Sequence, residues 1–194
     1  MRVWTIQDKA AYEDLCQKGV LRCDPKLAFW LTDKEFKFGY DWLVKQMKTR
    51  IGKPPIGVKY PIWAWFRHYG ENKKLDLRRC DFRNYVGEYY LIEAEIDDNC
   101  LVLSDEEMWH YVLNQWYLCQ DAGKEDITQA YEDDHAWFDS LPPDEQMPVK
   151  IKSWERVFDK SFCPWEFVQA TFWELRKEQV ISVRYFKGRG KLKN

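Results

Sequence analysis

Histidine is scarce in this chain, with three among 194 residues, and the six cysteines at positions 16, 23, 80, 100, 119 and 163 form no C-x-x-C pair. That spacing offers no zinc finger or ribbon, and the thiols read as free in a reducing compartment. The chain also has no G-x-x-x-x-G-K-[ST] loop, no G-x-G-x-x-G, no G-x-S-x-G and no H-E-x-x-H. The common phosphate cradles, the hydrolase elbow and the zinc-protease helix are therefore excluded. No apolar run approaches the roughly 20 residues of a spanning helix, and the opening Val3-Trp4-Thr5-Ile6 is strand-like rather than a signal peptide. A soluble cytoplasmic protein without membrane contact is expected.

Aromatic residues are abundant instead. Eleven Trp, eleven Tyr and eleven Phe make 17% of the chain, within a hydrophobic content of 45%. That is ample for one core over residues 1–194, read as a single domain. The net charge of −2 conceals an asymmetry: Lys45 to Arg83 carries eleven Lys/Arg against three Asp/Glu, a balance of +8, whereas Gln120 to Glu145 carries one Lys against nine acids, a balance of −8. The basic middle suits a nucleotide or another phosphate-bearing ligand, and the acidic stretch repels nucleic acid. Residues 120–147 read as an acidic helical insertion or lid, and residues 187–194 as a frayed basic tail.

The densest stretch is Lys59 to Tyr69, in which six aromatic or imidazole side chains fall within eleven residues. As a strand it sends Ile62, Ala64 and Phe66 to one face and Trp63, Trp65 and Arg67 to the other. The second face is either the floor of a ligand cleft or another packed layer.

Around it the pattern predicts a strand at Val3–Gln7 and a helix capped by Asp8 and closed by Gly19. A longer amphipathic helix carries Phe36, Tyr40, Leu43, Val44, Met47 and Ile51, and Gly52 ends it. Short strands are expected at Leu75–Cys80, Glu88–Ile96 and Cys100–Leu103, and a helix begun by a Ser104–Glu107 capping box follows. Ile151–Phe158 reads as a short helix, and Phe167–Leu175 and Val180–Phe186 read as closing strands. Strands at both ends with helices gathered mid-chain predict an α+β domain around a mixed or antiparallel sheet of about six strands. Candidate polar groups are the cluster Arg78, Arg79 and Arg83, the paired carboxylates Glu93 and Glu95, and His110 with Asn114 on one helix side.

Trp4-Thr5-Ile6-Gln7, Tyr60-Pro61-Ile62-Trp63-Ala64-Trp65, Trp109-His110-Tyr111-Val112-Leu113-Asn114 and Gln169-Ala170-Thr171-Phe172-Trp173-Glu174-Leu175 together resemble a family of bacterial proteins known as a domain of unknown function. The likeness extends over nearly the whole chain. In element order the chain is also similar to ADP-ribosyltransferases, which open with a strand and helix, carry an aromatic or polar residue on a central strand, and bring in a late strand bearing a glutamate. The matching places are Thr5 or Gln7, Trp63 to Arg67, and Gln169 to Glu174. The first strand here has no His or Arg, and the late strand presents Gln169 and Thr171, with Glu174 displaced toward its end.

That second resemblance implies NAD as the cofactor, its nicotinamide stacked on Trp63 or Trp65 and its pyrophosphate held by Arg67 or the Arg78–Arg79 pair. It implies Glu174, with Gln169 and Thr5, as the catalytic set acting on the ribose. The alternative is a binding module without chemistry, in which the indoles stack nucleic-acid bases or meet a protein partner.

Overall fold

The structure is a computed structural model that describes residues 1–83, 85–120, 129–162 and 165–189. Strand β1 (Arg2–Asp8) ends where Asp8 caps helix α1 (Lys9–Lys18), its carboxylate accepting from the Ala11 amide at 2.8 Å. Gly19, left-handed at φ 72°, stops that helix and lets the chain reverse into β2 (Val20–Arg22), a strand too short for alternation to reveal. Helix α2 (Lys34–Ile51) is capped by Asp33 and buries Trp42, Leu43 and Met47. The aromatic stretch forms β3 (Ile62–Arg67), followed by the short helix α3 (Cys80–Arg83), β4 (Val86–Glu95) and β5 (Leu101–Asp105). Helices α4 (Glu106–Leu113), α5 (Gln129–Ser140) and α6 (Pro143–Ser153) follow, and β6 (Val168–Phe172), β7 (Glu174–Arg176) and β8 (Val180–Arg189) close the chain.

The strands build a six-stranded sheet in the order β5-β6-β3-β1-β4-β8 and a two-stranded sheet of β2 and β7, with every pairing antiparallel. One α+β domain results, as the sequence predicts. Val3, Ile62, Ala64, Ile92, Ala94 and Phe172 pack on the face covered by α1 and the small sheet. On the other face α2, α4 and the turn Trp154–Phe158 bury Trp42, Met47, Trp109, Val112 and Trp154, with Trp63 at their margin. A smaller aromatic cluster joins Trp4, Leu75, Phe82 and Leu91 to Trp65.

Several boundaries differ from the expectation for local reasons. Leu75–Cys80 is not a strand; Leu75 is a buried plug in the Trp4 cluster, and Arg78 folds back on Asp76 at 2.8 Å. The capping residue of α4 is Asp105, accepting from the Met108 amide, while Ser104 stays in the ladder opposite Gln169. A carboxylate is the stronger partner for the exposed amides and the helix dipole. Helix α6 begins at Pro143 and ends before Trp154, so the expected helix Ile151–Phe158 is its last turn plus a 3-10 segment.

The expected strand Phe167–Leu175 is two strands in two sheets. Trp173, whose indole N–H donates to the Gly52 carbonyl at 3.1 Å, turns the chain out of the large sheet, and Glu174–Arg176 pair with β2 instead. Strand β8 continues three residues past Phe186 to Arg189. The acidic residues 121–128 and the tail 190–194 lie outside the described residues.

Trp154 is fully buried, meets Trp42 edge-on at 5.6 Å and donates from Nε1 to the Trp116 carbonyl at 2.7 Å. Trp154→Ala should cost about 3–5 kcal/mol of unfolding free energy. Urea unfolding checks this; a loss of only a few tenths would mean that this cluster does not anchor the helical layer.

Candidate functional site

The large sheet is held together unevenly. Strand β1 pairs with β4 at seven register positions and β3 with β6 at five, yet β1 and β3 share one, Trp4 opposite Trp65. Beyond that point the two halves part. The Thr5 hydroxyl spans the gap, donating to the Trp63 carbonyl at 2.8 Å and accepting from the Gln7 amide at 2.7 Å.

The split opens a cavity of about 630 Å³ whose lining includes Thr5, Gln7, Trp63, Trp65, Trp109 and Gln169. Trp63 meets Trp109 at 5.1 Å and Tyr40 at 6.0 Å, so its indole is fixed from the α4 and α2 side. Gln169 is half-buried, and its amide makes no hydrogen bond among the described residues. Trp4 also lines the cavity, and its buried Nε1 donor has no hydrogen-bond partner among the described residues. A buried donor left unpaired in the chain is uncommon.

The structure therefore brings Thr5, Trp63, Trp65 and Gln169 together, and leaves Arg67, Arg78, Arg79, Glu174 and Glu93 elsewhere. Arg67 sits at a β-bulge, where the register jumps from Trp65 opposite Gln169 to Arg67 opposite Val168. The bulge breaks the alternation, and the Arg67 guanidinium lies 5.8 Å over the Phe66 ring instead of beside the tryptophans. Arg78 is bound to Asp76, and Arg79 lies 3.8 Å over the Tyr69 ring. Glu174, on β7, is clasped by Arg22 at 2.8 Å and by Arg176. Nothing is described of the Arg83 side chain. Glu93 is likewise elsewhere, accepting from Ser182.

Arg22, Glu106 and His110 line the cleft without having been singled out together in the sequence. Arg22 belongs to a three-residue strand with no periodic signal, and Glu106 follows a capping residue that the pattern places one position early. His110 was paired with Asn114 on spacing alone, but Asn114 turns back to donate to the His110 carbonyl at 2.8 Å. A second cavity, of about 650 Å³ and bounded by Arg50, Trp137, Lys152 and Arg156, holds none of the sequence candidates. Among the described residues no helix is long and apolar enough to cross a membrane, and no His/Cys/Asp/Glu cluster could hold a metal.

Fold and site define an antiparallel α+β domain with an aromatic cleft at a split in its main sheet. The chain belongs to the family described as Domain of unknown function (DUF3841), whose model matches residues 2–181. Searches of curated proteins and of solved structures returned no match.

Thr5→Val keeps the shape but leaves the Trp63 carbonyl and the Gln7 amide unpaired, and should cost about 1–3 kcal/mol. Thr5→Ser should restore most of it in the same denaturant titration; equal losses would deny the hydroxyl its bridging role. His68, buried against Trp65 at 4.9 Å, has its pKa lowered chiefly by burial, with Arg79 assisting and Asp81 and Glu106 opposing. The unfolded chain then binds the proton more readily, so this residue makes stability fall as pH drops below about 6.5 toward the lowered folded value. Melting temperatures across that window should decline less steeply in His68→Gln than in the wild type.

Proposed function

We propose that the cleft binds a nucleotide and that the protein is ADP-ribosyltransferase-like, with NAD as its ligand. The observation that carries this reading is the convergence of Thr5, Trp63, Trp65 and Gln169, from three adjacent strands, on one cavity of about 630 Å³. That volume falls within the range of small-molecule sites. Its combination of aromatic faces with a few unspent polar groups suits a planar heterocycle joined to a sugar.

The roles follow from what each group still has free. The nicotinamide ring stacks on Trp63 or Trp65, and the Gln169 amide offers hydrogen bonds to amide or hydroxyl oxygens. Thr5, already bonded on both sides, positions β1 against β3 rather than touching the ligand. Arg22 is the arginine that lines the cavity, and in this reading it meets the pyrophosphate while Glu174 holds it from behind. Asp8, Asp14, Asp24 and Glu106 also line the cavity. They favour the cationic pyridinium end of NAD and oppose a polyanionic nucleic-acid strand.

NAD at about a hundred times its dissociation constant should stabilise the protein by about 2.7 kcal/mol. That corresponds to a rise of roughly 5–10 °C in melting temperature for a chain of this size. Trp63→Ala should abolish the rise and Trp63→Phe retain most of it. A shift with single-stranded RNA and none with NAD would overturn the proposal in favour of a nucleic-acid module.

A further inference from the structure

Of the groups that line the cleft and can exchange a proton, most are already committed. Asp8 caps α1, Asp14 holds Lys18 at 2.6 Å, and Asp24 accepts from the Lys26 amide at 2.9 Å. Arg22 is tied to Glu174. Burial pushes the Tyr40 hydroxyl up to about 12 and raises Tyr85 and the Cys23 thiol, so all three stay protonated near neutrality. The Gln169 amide is not basic. What remains is an imidazole and a carboxylate one turn apart on α4, His110 and Glu106, both lining the cavity.

Their geometry is that of a base with its orienting partner. Glu106 Oε1 lies 3.5 Å from His110 Nε2, and Nδ1 has no partner among the described residues. With its proton drawn to Nε2 by the carboxylate, a neutral His110 presents a lone pair at Nδ1. The helix that carries the pair is fixed relative to the tryptophan face, while the His110 side chain itself is 57% exposed. The Glu106 amide donates to the Phe167 carbonyl at 2.8 Å, two residues ahead of Gln169, and Trp109, between Glu106 and His110 on the helix, packs on Trp63.

We infer that His110, oriented by Glu106, is the base that takes the proton from a nucleophile entering this cleft, an assignment that rests on the nucleotide reading above. With water as the nucleophile and NAD as the substrate, the water oxygen bonds to C1′ of the nicotinamide ribose as the C1′–N bond breaks. The bonding pair passes to the ring nitrogen and cancels the pyridinium charge. His110 accepts the water proton and returns it to solvent, leaving nicotinamide and ADP-ribose; no oxidant or reductant is needed. Glu106 is a positioning residue in this scheme.

The Glu106 contact raises the His110 pKa, with burial opposing it and the Glu107 charge adding to it. The neutral base, and with it the rate, is then lost as pH falls through that raised value. Asp8, Asp14, Asp24, Arg22, Cys23, Tyr40 and Tyr85 are the other charged or titratable groups of the cavity among the described residues. His68 lies outside the cavity but also feels Glu106.

Nicotinamide release from NAD by the full chain, followed by chromatography from about pH 5 to about pH 8, tests the assignment, with NAD-induced melting shifts measured on the same samples. His110→Ala should lose about a hundredfold or more in kcat while keeping the NAD-induced shift. Glu106→Gln should move the acid limb of the rate profile to lower pH. Undiminished release by His110→Ala, or a melting shift in the wild type without any release, would overturn the assignment and leave nucleotide binding standing. Neither shift nor release in the wild type would remove both.

Discussion

The main sheet depends on a junction one register position wide. Trp4 opposite Trp65 is where the β5-β6-β3 half meets the β1-β4-β8 half, and the Thr5 hydroxyl is the strap beside it. A continuous ladder would satisfy every backbone group and fill the space between strands with neighbouring side chains. By stopping after one position, the ladder leaves β1 and β3 to be closed from outside. On one side α1 and the small sheet cover the gap; on the other, α2 and α4 do. The cleft is what those covering elements do not fill.

Rigidity in the cleft comes from aromatic packing rather than from hydrogen-bonded backbone. Trp63 leans on Trp109 and Tyr40, and Tyr40 in turn meets Trp109 at 5.7 Å. Such pairs are worth about 0.5–1.5 kcal/mol each beyond their buried area. Because Trp109 belongs to α4, the helix that presents Glu106 and His110 is locked to the strand that carries Trp63. The end of the helical layer is secured separately, by the buried Trp154 bonded to the Trp116 carbonyl.

Much of this was legible in the sequence, and the exceptions have identifiable causes. The strand–helix opening, the long helix stopped at Gly52, a strand expected at Glu88–Ile96 and found at Val86–Glu95, and the α+β class follow from alternation, 3.6-residue periodicity and capping residues. That Thr5, Trp63, Trp65 and Gln169 lie on strands is also readable from alternation, whereas their adjacency depends on a strand order that the sequence does not state. What could not be read was anything set by a local break in regularity. The bulge at Arg67 and the exit at Trp173 each redirect one side chain from the expected face, since alternation carries no mark of where a register shifts. Arg22 was hidden for a related reason: three residues give no period.

The fate of the basic middle of the chain decides the character of the cleft. The sequence concentrates positive charge between Lys45 and Arg83, yet the arginines there that the structure describes are spent on the periphery. Arg50 lies 4.1 Å over Phe158 and Arg79 3.8 Å over Tyr69, while Arg78 answers Asp76. Cation–π contacts of this kind contribute about 0.5–1 kcal/mol at exposed sites, so they are gained at the surface without drawing charge into the interior. Among the described residues the cavity is consequently lined by four carboxylates and one arginine, and that arginine is paired with Glu174. A polyanionic strand would meet repulsion along most of such a wall. The charge of this cleft therefore follows from where the arginines were placed, and only indirectly from the tryptophans that make its floor.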